Sequence, residues 1–333
     1  MSGLVETEPS HWDMLLERLG CADAYLLRAY VESACLLEPA RPVYLHFEAR
    51  GGNVVFPALV REVDAGRQDV TTPYGYGGPV AIGPEPQTEQ FWKLYQEWCE
   101  SNGIVTSFFR FHPLFANQRH VSPDVRVEQL VGTVGWRLGL PDLFAGMHGT
   151  HRTACRKAER AGVSISVAEA PGGLSAFASL YDLTMQRVRA DAFYLFPPAY
   201  WDALAGLGER TVVFDAEIEG EVVASALCFA TAPWLHYHLG ATGERGRSLG
   251  ASNLLLYAAA LWARDSGYER FHLGGGAGGR ADSLLSFKRR FDDGGLLECA
   301  VGKAVHDPAA YRTLTGRADG ELGGYFPAYR AAG

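Results

Sequence analysis

Apolar positions along this chain recur with two periods, one near 3.6 residues and one of 2, and their alternation predicts a mixed α/β protein. In the N-terminal half, residues 12–19 and 23–34 have helical spacing. Residues 43–47 and 53–60 read as strands joined at Gly51-Gly52, a hairpin-type turn. A third strand is predicted over 69–74. Phe91, Tyr95 and Trp98 share one side of a helix over 88–102, and the β-branched and aromatic run 104–110 reads as the next strand. The pattern changes around 142–150. A basic helix follows over 151–161, stopped by Gly162. After it come a strand over 163–167, helices over 174–187 and 198–207, and strands over 211–218, 221–231 and 234–239. The pattern closes with a long apolar helix over 254–266, a strand over 270–273, a helix over 283–289 and a strand over 295–305.

Both halves follow one plan of helices, meander strands, a central helix and another strand. No local sequence repeat accompanies it, so the expected architecture is two copies of one α/β fold that no longer share sequence. The change of pattern places the domains at 1–148 and 149–317, with the tail 318–333 packing on the first. A length of 333 residues suits two domains of about 150 each.

Composition narrows the function. With 47% hydrophobic and 20% charged residues, the chain has material for a large core and no signature of disorder. A net charge of -8 argues against a nucleic-acid coat or a polybasic membrane binder, while leaving room for a local basic patch. The six cysteines share no C-x-x-C spacing and read as scattered buried thiols in a reducing compartment. The first twelve residues lack a basic stretch followed by an apolar one, so no signal peptide is expected. The longest apolar run, 254–263, is too short to span a bilayer. A cytoplasmic protein is the expectation.

Several strings have the residue types that chemistry uses. Ser286-Phe287-Lys288-Arg289-Arg290-Phe291 places three cations between two aromatics, ten residues after Gly274-Gly275-Gly276. Lys288 there is either a cation for an oxyanion or phosphate, or a complement to a helix dipole. The glycine-rich loop is neither a Walker loop nor a G-x-G-x-x-G with an acidic partner. Arg152, Arg156 and Arg160 form one stripe with Lys157 alongside, as a solvated face or a phosphate-docking strip. Arg187, Asp191 and Tyr194 end a helix and enter a loop, where they line a pocket or cover the domain. His236 and His238 alternate on a strand, but no further ligand pattern completes a metal site, and none is expected. No G-x-S-x-G elbow supports a serine hydrolase. Finally, Arg247-Ser248-Leu249-Gly250-Ala251-Ser252 is near the R/Q-x-x-G-x-G/A loop with which GNAT acetyltransferases hold the coenzyme A pyrophosphate. Ser252 stands where that loop has Gly or Ala, and Ser252 or Asn253 also serves as a simple N-cap.

In order along the chain, Tyr74-Gly75-Tyr76-Gly77-Gly78-Pro79, Phe108-Phe109-Arg110-Phe111-His112-Pro113, the Arg152-to-Gly162 helix, Thr184-x-x-Arg187, and Leu273-Gly274-Gly275-Gly276 followed by Phe287-Lys288 form a set. This set resembles the Fem family of non-ribosomal aminoacyltransferases. The resemblance implies two tandem GNAT-like domains with a cleft between or beside them, here without the family's helical-hairpin arm. It implies transfer of an amino acid from aminoacyl-tRNA to a peptide amine, on a peptidoglycan precursor or a peptidyl-nucleoside antibiotic intermediate. Aminoacyl-tRNA is then a co-substrate, and no separate cofactor is called for. By position, Phe287-Lys288 matches the family's functional pair, with the lysine at the reacting carbonyl. Arg187 matches an acceptor-contacting arginine, and Tyr194 lies near a matching pocket aromatic.

With Asp191, Tyr74, Tyr76 and Arg110 these residues make up the expected substrate site. Arg152, Arg156, Lys157, Arg160, Arg289 and Arg290 are the expected contacts to the acceptor end of the tRNA. No dedicated base stands out; Asp191, or the acceptor's own carboxylate or phosphate, is expected to take the proton. Two other readings keep the same fold: an acyl-CoA-dependent N-acyltransferase, supported by Arg247 to Ser252, and a non-catalytic binding protein.

Overall fold

The computed structural model describes residues 3–316 and 322–331. They form two compact units, Met1–Leu130 with Glu298–Gly333, and Val131–Leu297.

The first unit is built on β1 (Leu4–Glu6), β2 (Arg41–Ala49), β3 (Gly52–Asp64), β4 (Arg67–Thr71), β5 (Val80–Ile82), β6 (Ile104–Arg110), β7 (Arg126–Gln129) and β15 (Ala300–Val305). Its sheet runs β1-β2-β3-β4-β6-β15-β7, with β5 also on β3. Helices α1 (Pro9–Leu19), α2 (Arg28–Ala34), α3 (Thr88–Ser101) and α11 (Pro308–Thr315) accompany it. The apolar face of α3 buries Phe91, Trp92, Tyr95 and Cys99 against Phe56 and Phe109 of the sheet. Each such ring stabilises the fold by roughly 1.5–3 kcal/mol. The crossover through α3 makes β4 and β6 parallel neighbours.

The second unit contains β8 (Thr133–Arg137), β9 (Ser164–Glu169), β10 (Thr211–Ile218), β11 (Glu221–Thr231), β12 (Trp234–Thr242), β13 (Arg270–Gly274) and β14 (Leu296–Leu297), in the order β14-β8-β13-β12-β11-β10-β9. Its helices are α4 (Leu143–Gly146), α5 (Gly149–Arg160), α6 (Ser175–Val188), α7 (Pro198–Ala205), α8 (Glu244–Leu249), α9 (Ala251–Asp265) and α10 (Ser283–Arg289). Here too a meander, β9 to β12, precedes a helical crossover, α9, to a parallel strand, β13. The repeated plan read from the sequence is therefore present in both units. Among the described residues the longest helix, α9, has 15 residues, so none forms a long hairpin arm.

Three expectations need correction. The division near 148/149 falls earlier, because Thr133–Arg137 pairs with β13 in the second sheet. The second unit ends near residue 297 instead of 317. The single strand expected over 295–305 is two: Leu296–Leu297 pairs with β8, and Ala300–Val305 inserts between β6 and β7 of the other sheet. In the tail, Phe326 joins Val105, Ala310 and Tyr311 in a buried cluster. Residues 318–321, 332 and 333 of the expected tail lie outside the described ones. The six cysteines are free; five are buried and Cys35 is half-buried. No helix among the described residues is long and apolar enough to cross a membrane.

Candidate active site

In the second unit the site is organised by Asp282. Its carboxylate accepts the N–H of Leu285 at 2.8 Å, capping α10, and the N–H of Ala277 at 2.8 Å. Burial alone would raise its pKa, but these backbone donors hold it below the usual range. The two bonds fold the glycine-rich turn back onto the helix. Glycine is required at Gly276, where a Cβ would overlap Arg280 O and Asp282 Oδ1.

Lys288, in the last turn of α10, points inward and is 7% exposed. Its Nζ donates to Gly275 O at 2.7 Å and lies 5.5 Å from the centroid of the Tyr237 ring. No carboxylate forms an ion pair with it among the described residues; Asp282 attracts it only through space. Burial pushes Lys288 down to about 8, and Asp282 opposes that shift. An ammonium has three donors, and one is used. A buried cation without a counter-ion costs several kcal/mol, so the spare donors are a place for an anionic, or transiently anionic, oxygen. Arg289 behaves differently: it is exposed and pairs with Asp293 at 2.8 Å. The dipole reading suits Arg289 but does not explain the inward turn of Lys288.

The Tyr237 ring sits where the sheet opens. Leu227 pairs with Leu239 and Cys228 with Tyr237, so His238 is the extra residue of a β-bulge. The register of β12 with β13 covers only Trp234–His236 against Arg270–His272. Beyond it β12 continues to Thr242 without β13 as a partner. The Tyr237 hydroxyl lies over Gly240, where a Cβ would overlap it. Burial raises the Tyr237 phenol, which stays neutral and offers its ring face to Lys288.

Phe287 is half-buried. Its carbonyl accepts His151 Nε2–H at 2.9 Å, and its ring packs at 4.9 Å from His151 and 5.3 Å from Phe291. Burial lowers the His151 pKa, which favours the neutral ring. Behind this cluster Arg137 clamps Asp292 with two side-chain bonds, 2.8 and 2.7 Å, and one from its backbone N–H.

The other expected residues of this unit occupy separate places. Arg187 Nη1 donates to Thr242 O at 2.7 Å, and Thr184 Oγ1 accepts the Thr242 N–H at 3.0 Å, so the Thr-x-x-Arg string ties α6 to the end of β12. Asp191 accepts the N–H of Phe193 and caps a 3₁₀ turn; Tyr194 is half-buried against the Phe193 ring. On α5, His151, Cys155 and Ala158 face the core and the cations face outward. Arg152 donates to Ala145 O and Met147 O, Arg156 stacks on Phe144, Lys157 reaches Ser248 O and Arg160 reaches Arg156 O. Arg289 and Arg290 line a depression of about 450 Å³ with His148, Ser286 and Asp293.

Tyr74, Tyr76 and Arg110 belong to the first unit, where the structure brings their two strings together. Gly77 N–H donates to Arg110 O at 2.7 Å, Arg110 Nη1 donates to Thr72 O at 2.9 Å, and Asn117 bridges Gly77 O, Pro79 O and the His112 N–H. Tyr30 donates to Tyr74 O, and Tyr76 packs edge-on to Tyr25 and His112. Burial lowers the Arg110 pKa.

Sequence reasoning missed Asp282, His151 and the part played by Tyr237. The signal for Asp282 was present, an Asp immediately before a helix start. His151 shares a helical face with Cys155 and Ala158, but nothing local says that its ring meets Phe287. The contact of Tyr237 with Lys288 joins residues 51 apart and has no local trace.

The stretch Arg247 to Ser252 is not an open loop. Glu244–Leu249 is helical, Gly250 N–H donates to Arg247 O, and Asn253 N–H donates to Gly250 O. Gly250 also packs tightly on α5, where a Cβ would lie 3.0 Å from Ala154 O.

Residues 146–289 match the family model described as Acetyltransferase (GNAT) domain. No curated protein matches the sequence. Among solved structures the chain is similar to FemX, at 13% identity and a TM-score of 0.70, covering 93% of this chain and 99% of that one. It is similar to L-PGS from Bacillus licheniformis, at 16% identity and a TM-score of 0.56, covering 90% and 92%. A tandem GNAT protein from the clavulanic acid biosynthesis pathway matches at 10% identity and a TM-score of 0.51, covering 93% and 100%. At such identities the likeness concerns the fold: the chain has the architecture of tandem GNAT-like domains, an acyltransferase-type fold, with a GNAT domain over residues 146–289.

Proposed function

We propose that this protein is an aminoacyl-tRNA-dependent aminoacyltransferase that forms a peptide bond on the amino group of a peptide acceptor. The observation that carries the reading is the buried Lys288 ammonium, which among the described residues has donors to spare and no carboxylate ion-pair partner. The amine nitrogen attacks the ester carbonyl carbon. A C–N bond forms as the carbonyl π pair moves to oxygen, and collapse expels the ribose oxygen, which receives a proton in place of the one the nitrogen loses. Lys288 stabilises the oxyanion between these steps, and Phe287, held by His151, fixes the lysine's backbone. Arg187, Asp191 and Tyr194 of the second unit are assigned to the acceptor. The cations of α5 with Arg289 and Arg290 meet the phosphates at the RNA end.

The GNAT match favours one other reading, acyl-CoA-dependent N-acylation. The helical form of Arg247 to Leu249 counts against it, since the Gly250 and Asn253 N–H groups are already engaged.

A panel of charged tRNAs against candidate peptide amines, read by mass spectrometry, tests the proposal. Transfer is expected for at least one pair, and Lys288→Met should lower its rate by about 10²–10³-fold, the cost of one oxyanion donor. An unchanged rate in that variant removes the mechanism. A thermal shift with coenzyme A and none with aminoacyl-tRNA replaces the reading by the acyl-CoA one.

A further inference from the structure

The second sheet ends on an open edge. There β9 pairs with β10 alone, and five of its six residues are exposed, with Ile165 half-buried. Edge strands are templates for pairing with another chain, and proteins blunt them with short length, basic charge, proline or a bulge. The other edges among the described residues are short: β1 and β5 have three residues, β7 has four with Arg126 and Glu128 among them, and β14 has two. By contrast β9 contains no Pro, Gly, Lys or Arg, and its register with β10 is unbroken.

That register fixes which backbone groups face outward. Ala170 N–H donates to Thr211 O at 3.0 Å, directly across the ladder. Hydrogen-bonded pairs alternate along an antiparallel ladder, so Ala168, Ser166 and Ser164 are the residues that bond to β10. The N–H and C=O groups of Ile165, Val167 and Glu169 then point away from the sheet, without partners among the described residues. Side chains of the same three residues share the face that carries α9, because Val167 lies opposite Phe214 and Ile165 opposite Ala216, both in the core with that helix. Val167 is 41% exposed; Trp262 packs on Phe214 at 5.5 Å, and Tyr268 stacks on Trp262 at 5.9 Å. Burial, then the Glu169 carboxylate, raises the Tyr268 phenol. Open backbone and a half-buried aromatic shelf therefore form one surface.

The strand is complementary to itself. Two copies pairing antiparallel about a two-fold axis at Val167 set valine against valine and Ile165 against Glu169 of the second copy, which closes three hydrogen-bonded pairs. Both α9 faces stay on one side, so the valines meet between the two aromatic shelves. The only charges on the paired strands, the two Glu169 carboxylates, stand about 13 Å apart along the ladder, beyond the ~8 Å screening length at physiological salt. Asp215 and Glu217 lie one strand inward, where the hydroxyls of Ser225 and Ser166 donate to them. Pairing buries on the order of 500 Å² per copy, the size of a weak and reversible interface.

We propose that β9 is a homodimerisation edge, where two copies of the chain join by antiparallel pairing centred on Val167 into one continuous sheet. None of the residues assigned to transfer lies on β9, and the test needs no transfer assay. Sedimentation velocity of the full chain up to about 200 µM should show a reversible dimer with a Kd on the order of 10 µM. Hydrogen exchange at Ile165, Val167 and Glu169 should slow as the dimer fills. Val167→Lys places two ammonium groups at the axis and leaves the β10 ladder intact, as does Val167→Pro, which removes the central donors. Each should weaken the dimer at least about tenfold. Val167→Glu should be as weak alone, and an equimolar mixture of the lysine and glutamate variants should recover the dimer. Circular dichroism melts confirm that the variants fold. Three results overturn the proposal: a monomer at the highest concentration, a dimer that Val167→Lys leaves intact, or a lysine–glutamate mixture that stays monomeric. A monomer whose three amides slow only with an added extended peptide assigns the edge to peptide binding instead.

Discussion

Of the three adjacent cations, one is enclosed and two are not, and that difference has a thermodynamic consequence. Lys288 binds its proton less tightly in the folded chain, at about 8, than in the unfolded one, near 10.5. Between those values the unfolded state holds more protons, so stability rises with pH across the window. Below pH 8 the buried ammonium is a standing cost. Lys288→Met should therefore raise folding stability at pH 7 by on the order of 2 kcal/mol, after allowing for the lost bond to Gly275 O. Urea unfolding of the two proteins measures this; a less stable variant would make Lys288 a brace of the fold. The same titration predicts a wild-type transfer rate that falls as pH rises past about 8, from which the residual rate of the methionine variant is exempt.

At the scale of elements, the turn and helix that carry Lys288 depend on one carboxylate. Asp282→Ala removes the α10 cap and the tie to Ala277 together, which should cost about 1–2 kcal/mol in thermal unfolding and loosen the lysine. Asp282→Asn keeps an acceptor and should lose less; equal losses would mean that the negative charge, not the cap, matters. The expected bounds of Ile104–Arg110, Thr211–Ile218, Glu221–Thr231 and Ser283–Arg289 coincide with the observed elements. Each is a run of one period closed by turn residues, so local pattern suffices. Thr133–Arg137 escaped notice because it is short, holds a glycine and is buried almost throughout, which erases alternation. Helix α8 escaped because tertiary packing admits it: Gly246 lies against Val223 O with no room for a Cβ.

The whole molecule is threaded so that the first unit is completed last. β15 enters its sheet after the second unit has been traversed, and the tail then closes over it. Asp69, fully buried, accepts Arg61 at 2.8 Å, Arg330 at 2.5 Å and the Tyr329 hydroxyl at 3.2 Å; Lys303 binds Glu128 and the carbonyl of Leu322. Deleting residues 322–333 leaves Asp69 with Arg61 alone and uncovers Tyr311 and Lys303. A loss of about 3–5 kcal/mol is expected, the usual cost of breaking a buried charge network. Calorimetry should show it as a lowered unfolding midpoint, and a truncated chain that melts like the intact one would make the tail dispensable.

Amino-acid order alone determined the periods of the helices and strands, the twice-used plan and the strings that resemble an aminoacyltransferase family, because each is written in neighbouring residues. Tertiary structure alone decided which cation is enclosed, that Tyr237 and Gly275 receive it, where the two units divide, and that a stretch resembling a pyrophosphate loop is helical. Those outcomes depend on strand register and on packing between residues far apart, and periodicity records the face of an element without recording what will cover it.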